Sequence, residues 1–255
     1  MRADQLLVER GLASSRSQAQ RLIAAGVQWR AGEQWKAVAK NGDEVPLDAE
    51  VELLDAAEAR YVSRGGLKLE AALRQSGVDV RGKACLDVGQ STGGFTDCLL
   101  QQGALKVVGV DVGQAQLHQK MREDARVICI EGVNARSLSA TDLIAENDQG
   151  TLAPACFPLI TGDLSFISLT LVLPALVPFL EAHGDLLMLV KPQFELQPEN
   201  IGKHGLVKDP ADYAVVQKRL RDACAALGLK VVGWHESAIT GGDGSREFFI
   251  HAKKP

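Results

Sequence analysis

From Ala84 onward, short runs of consecutive apolar residues alternate with longer stretches in which apolar positions recur every three or four residues. ACLDVG, KVVGVD, RVICIEG, PLITGDLSF, DLLMLVKP, KVVGWHE and FFIHAKK carry the strand pattern. GGFTDCLLQQG, QAQLHQKMRED, SLTLVLPALVPFLEA and DYAVVQKRLRDACAALG, which lie between them, carry the helical one. Strands that are apolar almost throughout are buried on both faces, which requires helices on both sides of a mostly parallel sheet. The pattern predicts an α/β, Rossmann-like, doubly wound fold of seven strands. Ligands of such sheets bind at the carboxyl ends of the strands, near the point where the strand order reverses.

The first sixty residues follow another rhythm. Leu6, Leu7 and Val8 cluster in a short helical segment that Gly11 can end. A second helix follows, capped by Ser14 or Ser15, with Ala19, Leu22 and Ile23 at helical spacing and Gly26 closing it. VQWRAGEQW then reads as a β-hairpin around Ala31-Gly32. Two short helices followed by strands form a small α+β unit, close to the smallest that folds alone.

Composition adds compartment and charge. With 255 residues, 46% of them hydrophobic, the chain can bury a full core. Its five cysteines are scattered and never form a CxxC pair, and its five histidines show no metal-ligand spacing, so neither disulfides nor a metal is expected. No stretch reads as a signal peptide or a membrane span, and a cytoplasmic location is expected. The net charge of −4 hides an asymmetry: up to residue 40, seven Lys/Arg face three acids, whereas residues 41–58 hold seven acids and no base. A local basic patch on an acidic protein suits a polyanionic partner.

The most informative turn is DVGQSTGGFTD, residues 87–97. A nicotinamide fingerprint needs a middle glycine so that the backbone can approach a pyrophosphate, and Ser91 stands there instead. Asp87, unwelcome beside a pyrophosphate, suits an ammonium. Asp111 closes the next strand, where an acid accepts hydrogen bonds from ribose hydroxyls. A ligand with a cationic amino acid end and an adenosine end fits both, and S-adenosylmethionine has both. The candidate cofactor residues are Asp87, Gly89, Ser91, Gly93, Gly94, Phe95 and Asp111.

Two resemblances follow. RADQLLVERGLASSRSQAQRLIAAGVQ resembles the S-four RNA-binding domain over residues 1–58, which nominates Arg2, Arg16, Ser17 and Arg21, with Arg64 beyond them, for RNA contact. The hairpin departs from that family, with Trp29, Trp35 and Val38 to Lys40 replacing its usual pattern. SRGGLKLEAAL, DVGQSTGGFTD, GDLSFISL, VKPQFE, GLVKDP and ITGGDGSREFF, in this order, resemble the TlyA (haemolysin A) family of ribosomal RNA 2′-O-methyltransferases. That resemblance implies an S-four domain at 1–58, a linker at 59–63 and an FtsJ-like, class I methyltransferase domain at 64–255. It also implies a catalytic tetrad of Lys68, Asp163, Lys191 and Glu247, with a cytidine of ribosomal RNA as substrate.

The tetrad makes chemical sense of its own. Methylating a ribose hydroxyl requires the oxygen to be aligned and its proton accepted, and a lysine can accept it only when neutral. The expectation is that Lys191 is the acceptor and Lys68 a neighbouring ammonium, with Asp163 and Glu247 orienting the pair. Gln90, Gln114-Ala115 and Ser245 depart from the family's usual residues, and none of them is a tetrad member. Two other functions compete: a non-catalytic RNA-binding assembly factor, which would have broken motifs, and a membrane-active haemolysin, which would need an apolar span or a basic amphipathic helix.

Overall fold

Two units make up the chain, Met1–Arg64 and Gly65–Pro255. The computed structural model describes residues 1–54, 60–143, 155–241 and 244–255 of it. The expected domain end at residue 58 and the first linker residue, 59, lie outside the described residues.

In the first unit, helix α1 (Ala3–Glu9) is followed by Gly11 at φ 69°, and α2 (Arg16–Gly26) starts at Ser15. Of the two candidate serines, Ser15 makes the cap, its hydroxyl accepting from the Gln18 amide at 3.2 Å. Strand β1 (Val27–Arg30) pairs with β2 (Lys36–Ala37), so the hairpin forms as its turn signal indicates, with Trp29 opposite Lys36. A third strand, β3 (Glu50–Leu53), pairs antiparallel with the other edge of β1. Its EVEL sequence is acidic at alternate positions, and the partner strand supplies what the sequence alone does not advertise. Leu6, Leu7, Ala19, Leu22, Ile23, Val27 and Val45 form the core.

In the second unit, helix α3 (Gly65–Ser76) precedes β4 (Ala84–Val88), α4 (Gly94–Gln101), β5 (Lys106–Asp111), α5 (Gln119–Arg122) and β6 (Val127–Glu131). Then come β7 (Phe157–Gly162), α6 (Leu169–Leu176), β8 (Leu180–Val190), α7 (Asp212–Ala226), β9 (Lys230–Glu236) and β10 (Phe248–Lys253). The seven strands run in the order β6-β5-β4-β7-β8-β10-β9, with only β10 antiparallel to its neighbours. Leu86, Val108, Ile160 and Leu186 of the sheet share one core with Val172 and Leu173 of α6 and Leu220 of α7. Each such side chain contributes about 1.5–3 kcal/mol on burial. The strand order reverses between β4 and β7, which places the ligand crevice beyond their carboxyl ends.

Two helices are shorter than their patterns suggest. Of QAQLHQKMRED, only Gln119–Arg122 is helical among residues 114–124. Ala115 takes a left-handed φ of 55°, with its amide on Glu131 Oε1 at 3.0 Å, and His118 Nδ1 caps the short helix by accepting from the Lys120 amide at 3.1 Å. In SLTLVLPALVPFLEA, the α-helix ends at Leu176, ahead of Pro178 in a 3-10 turn, and Leu180 already opens β8.

Candidate active site

Every element that ends at one edge of the large sheet delivers a polar residue there. The turn after β4 approaches the end of β7 so closely that a Cβ on Gly89 would lie 2.6 Å from the Asp163 carbonyl oxygen. Gly89 has φ 81°, so both space and backbone demand glycine. The amides of Gly89 and Gln90 both donate to Val110 O, at 2.8 and 3.2 Å, and the Asp163 amide donates to Val88 O at 3.0 Å. These bonds lock three strand ends together. Between them opens a cleft of about 480 Å³ lined in part by Gly89, Ser91, Asp111, Asn134, Asp163 and Phe166.

Asp111 sits on the cleft, half-buried. Its two carboxylate oxygens accept from the Ser91 and Gly113 amides, each at 2.7 Å. A carboxylate offers about four acceptor sites, so it retains capacity for hydroxyl donors. Asp87 is fully buried and is not itself a lining residue. Thr96 donates its hydroxyl to Asp87 Oδ2 at 2.7 Å, whereas Oδ1 has no hydrogen-bond partner. Burial pushes this carboxyl up to about 7; Thr96 opposes the shift, and the like charges of Asp163 and Asp111 add to it. A buried acid with an unpartnered oxygen and no cation beside it is incomplete as it stands.

The four expected catalytic residues come together as two ion pairs. Lys68, on α3, has its Nζ 2.5 Å from Glu247 Oε2, immediately before β10. Lys191, just after β8, has its Nζ 2.5 Å from Asp163 Oδ1, just after β7, and donates to Ser165 Oγ at 2.8 Å. Neither carboxylate oxygen receives a well-aligned hydrogen bond in these contacts. Each of the two lysine nitrogens lies beside one carboxylate.

Other cofactor candidates have backbone or packing positions. Ser91 takes φ 48° at the cleft, Gly93 precedes α4 and Gly94 begins it. Phe95 is buried and stacks on Phe249 with ring centroids 6.0 Å apart, which makes its ring part of the core. In the first unit, Arg2, Arg16 and Ser17 are exposed and Arg21 is half-buried, its guanidinium donating to Ser17 O at 3.2 Å. Arg64, at the end of that unit, is half-buried. Arg2 grips the buried Asp4 with two bonds of 3.0 and 2.9 Å, and Arg16 reaches the same carboxylate at 3.5 Å. The Arg2 guanidinium holds Asp4 down to about 2.

Several participants carry no signal of their own in the sequence. Ser165 steadies Lys191, and Glu195 accepts from Ser168 Oγ at 2.5 Å and the Leu169 amide at 2.7 Å, tying the segment after β8 to the start of α6. Burial raises the Glu195 carboxyl above its usual range. Arg246 forks onto Glu236 at 2.7 and 2.9 Å and lies over the Tyr213 ring, anchoring the residue next to Glu247. Phe166 is 91% exposed at φ 63° and packs on Phe194 with centroids 5.1 Å apart. A bulky exposed ring in left-handed backbone is an expensive arrangement. Nothing in the local sequence announces that conformation.

Comparison with known proteins agrees with this architecture. The FtsJ-like methyltransferase model matches residues 61–254 and the S4 domain model residues 1–26. YqxC of Bacillus subtilis is 43% identical over 254 residues, covering 100% of this chain and 86% of its own. The 16S/23S rRNA (cytidine-2′-O)-methyltransferase TlyA of Mycobacterium tuberculosis is 40% identical over 255 residues, covering 98% of this chain and 88% of its own. A solved structure from Streptococcus thermophilus that bears the name hemolysin superposes with a TM-score of 0.74 at 38% identity, covering 100% of this chain and 88% of that one. The large sheet has the class I methyltransferase fold. The chain belongs to the FtsJ-like methyltransferases of the TlyA and hemolysin A type, which carry an S4 domain at the amino-terminal end.

Proposed function

We propose that this protein transfers the methyl group of S-adenosylmethionine to the 2′-hydroxyl of a cytidine in ribosomal RNA. The observation that carries the reading is the pair of Lys–carboxylate contacts, Lys191 with Asp163 and Lys68 with Glu247, gathered from four segments of the methyltransferase unit. The domain assignment goes with it: residues 1–58 supply RNA affinity, 59–63 link, and 64–255 perform the chemistry. An RNA substrate of this kind is consistent with a cytoplasmic location.

The residues present fit the cofactor. The unpartnered Oδ1 of buried Asp87 supports a cationic group nearby, and the open acceptor capacity of Asp111 supports a ribose. The cleft that Asp111 lines is within the usual size range for small-molecule sites, and the glycine at position 89 keeps its wall low. When bound there, S-adenosylmethionine supplies an electrophilic methyl group. The chain's own residues do the rest. Phe166 offers an exposed ring at the cleft on which a nucleobase can stack. Lys191, entering the step as the neutral amine with its ammonium proton already lost to solvent, accepts the 2′-hydroxyl proton on Nζ as the oxygen takes the methyl group, and Asp163 and Ser165 hold that nitrogen in place. Lys68 and Glu247 form the second half of the constellation.

A non-catalytic assembly factor would have no use for a lysine paired with a carboxylate that lines the cleft, as Lys191 is with Asp163. Among the described residues no helix is long and apolar enough to cross a membrane, so the hemolysin name has no support from a spanning helix. The test is single-turnover methylation of ribosomal RNA by Lys191→Ala and Lys191→Arg variants, with cofactor and RNA binding measured in each. Lys191→Ala should abolish transfer and leave binding near its starting value, because proton acceptance belongs to the transition state. Lys191→Arg should not rescue it, since a guanidinium stays protonated. Near-normal transfer by the arginine variant would eliminate the proton-acceptor role. Unmodified cytidines in RNA treated with the wild-type protein would refute the activity itself.

A further inference from the structure

Asp87 is one end of a buried chain of three side chains. Gln90 donates its amide to Thr96 Oγ1 at 2.9 Å, and Thr96 Oγ1 in turn donates to Asp87 Oδ2 at 2.7 Å. All three residues are buried. A hydroxyl has a single proton, so accepting from Gln90 while donating to Asp87 gives the chain one direction, from amide to carboxylate. The Gln90 side chain has room only because β5 carries no side chain at Gly109. A Cβ there would lie 2.0 Å from Gln90 Cδ and Nε2. Meanwhile Asp87 Oδ1 is left without a hydrogen bond.

We propose that Gln90 is a positioning residue for cofactor binding: by fixing the Thr96 hydroxyl on Oδ2, it holds Asp87 as the anion whose free Oδ1 attracts the cationic amino end of S-adenosylmethionine. The inference rests on the cofactor reading above. The charged groups that face Asp87 are Asp111 at the end of β5 and Asp163 after β7, both acids and both opposed to its ionisation. Of its side-chain neighbours, it is the Thr96 hydroxyl, aimed by Gln90, that favours the ionised form, in a site where burial resists it. Losing the aim of that donor therefore costs affinity and moves the acidic limb of cofactor binding to higher pH.

The experiment is calorimetric titration of the full chain with S-adenosylmethionine at several pH values on both sides of 7, with melting temperatures as a folding control. Gln90→Met fills the same space beside Gly109 and removes the donor. It should weaken binding about fivefold at neutral pH, the size of one ordinary hydrogen bond, and shift the acidic limb upward. The rate at saturating cofactor should stay near its starting value. In a Thr96→Val background, Gln90→Met should add nothing, because its effect passes through that hydroxyl. Should Gln90→Met fold poorly, Gln90→Glu serves instead: it turns the donor into an acceptor, draws the Thr96 proton away from Asp87 and should weaken binding further. Unchanged affinity and an unmoved limb in either folded variant would show that Gln90 only fills space, and would overturn this inference alone. Failure of the wild-type chain to bind S-adenosylmethionine would overturn the cofactor reading together with it.

Discussion

Each unit buries an aspartate, and the two are handled in opposite ways. Asp4, in the amino-terminal unit, receives a fork of bonds from Arg2 and a longer contact from Arg16, and its carboxyl is held down to about 2. Asp87, in the methyltransferase unit, has only hydrogen bonds from Thr96 and two like charges nearby, and burial pushes it up to about 7. One carboxylate is satisfied by the fold that contains it. The other has no cation of its own, and its ionised form is favoured further when something positive arrives. For these two aspartates, complete internal pairing accompanies a structural role and incomplete pairing an expected ligand, a distinction that burial alone does not make.

Neutralising each acid gives the largest expected contrast. Asp87→Asn should weaken S-adenosylmethionine binding about a hundredfold, roughly 2.7 kcal/mol, by calorimetry. The same variant should make the ligand-free protein more stable above neutral pH. Raised in the fold, the Asp87 carboxyl contributes stability that is present at low pH and lost as pH rises from about 4 to about 7, and the amide has no such loss. A stabilised Asp87→Asn protein that still binds the cofactor normally would break the comparison.

Asp4→Asn should do the reverse. It should lower the melting temperature of the amino-terminal unit by several degrees and leave cofactor affinity unchanged. Depressed in the fold, the Asp4 carboxyl contributes stability present above about 4 and lost as pH falls toward about 2. The melting temperature of the variant should therefore converge on that of the wild type in acid.

Smaller effects sharpen the division between the units. Reversing Arg16 and Arg21 to Glu should weaken RNA binding about tenfold and flatten its salt dependence, because fewer counterions are released per complex. Cofactor binding should not move. An unchanged salt slope would mean that these arginines serve only Asp4 and the helix surface. The smallest effect belongs to Arg246→Lys, which loses the fork on Glu236 and the stacking on Tyr213. It should slow methyl transfer severalfold through Glu247 and leave both binding constants intact.

Periodicity and motif order by themselves determined the larger outline: seven strands, most helices, the hairpin, and four separated residues that the family's motifs mark as a group. Apolar alternation is local, and the chain must bury those positions whatever else it does. Helix lengths were less legible, because Ala115 in left-handed backbone and the early start of β8 at Leu180 answer to contacts made elsewhere in the fold. Only the tertiary structure decided which lysine meets which acid, that Phe95 belongs to the core while Phe166 stands exposed, and that Asp4 is paired while Asp87 is not. Those outcomes depend on distances between residues up to 179 positions apart, as with Lys68 and Glu247. The chain brings such residues together only by assembling its sheet.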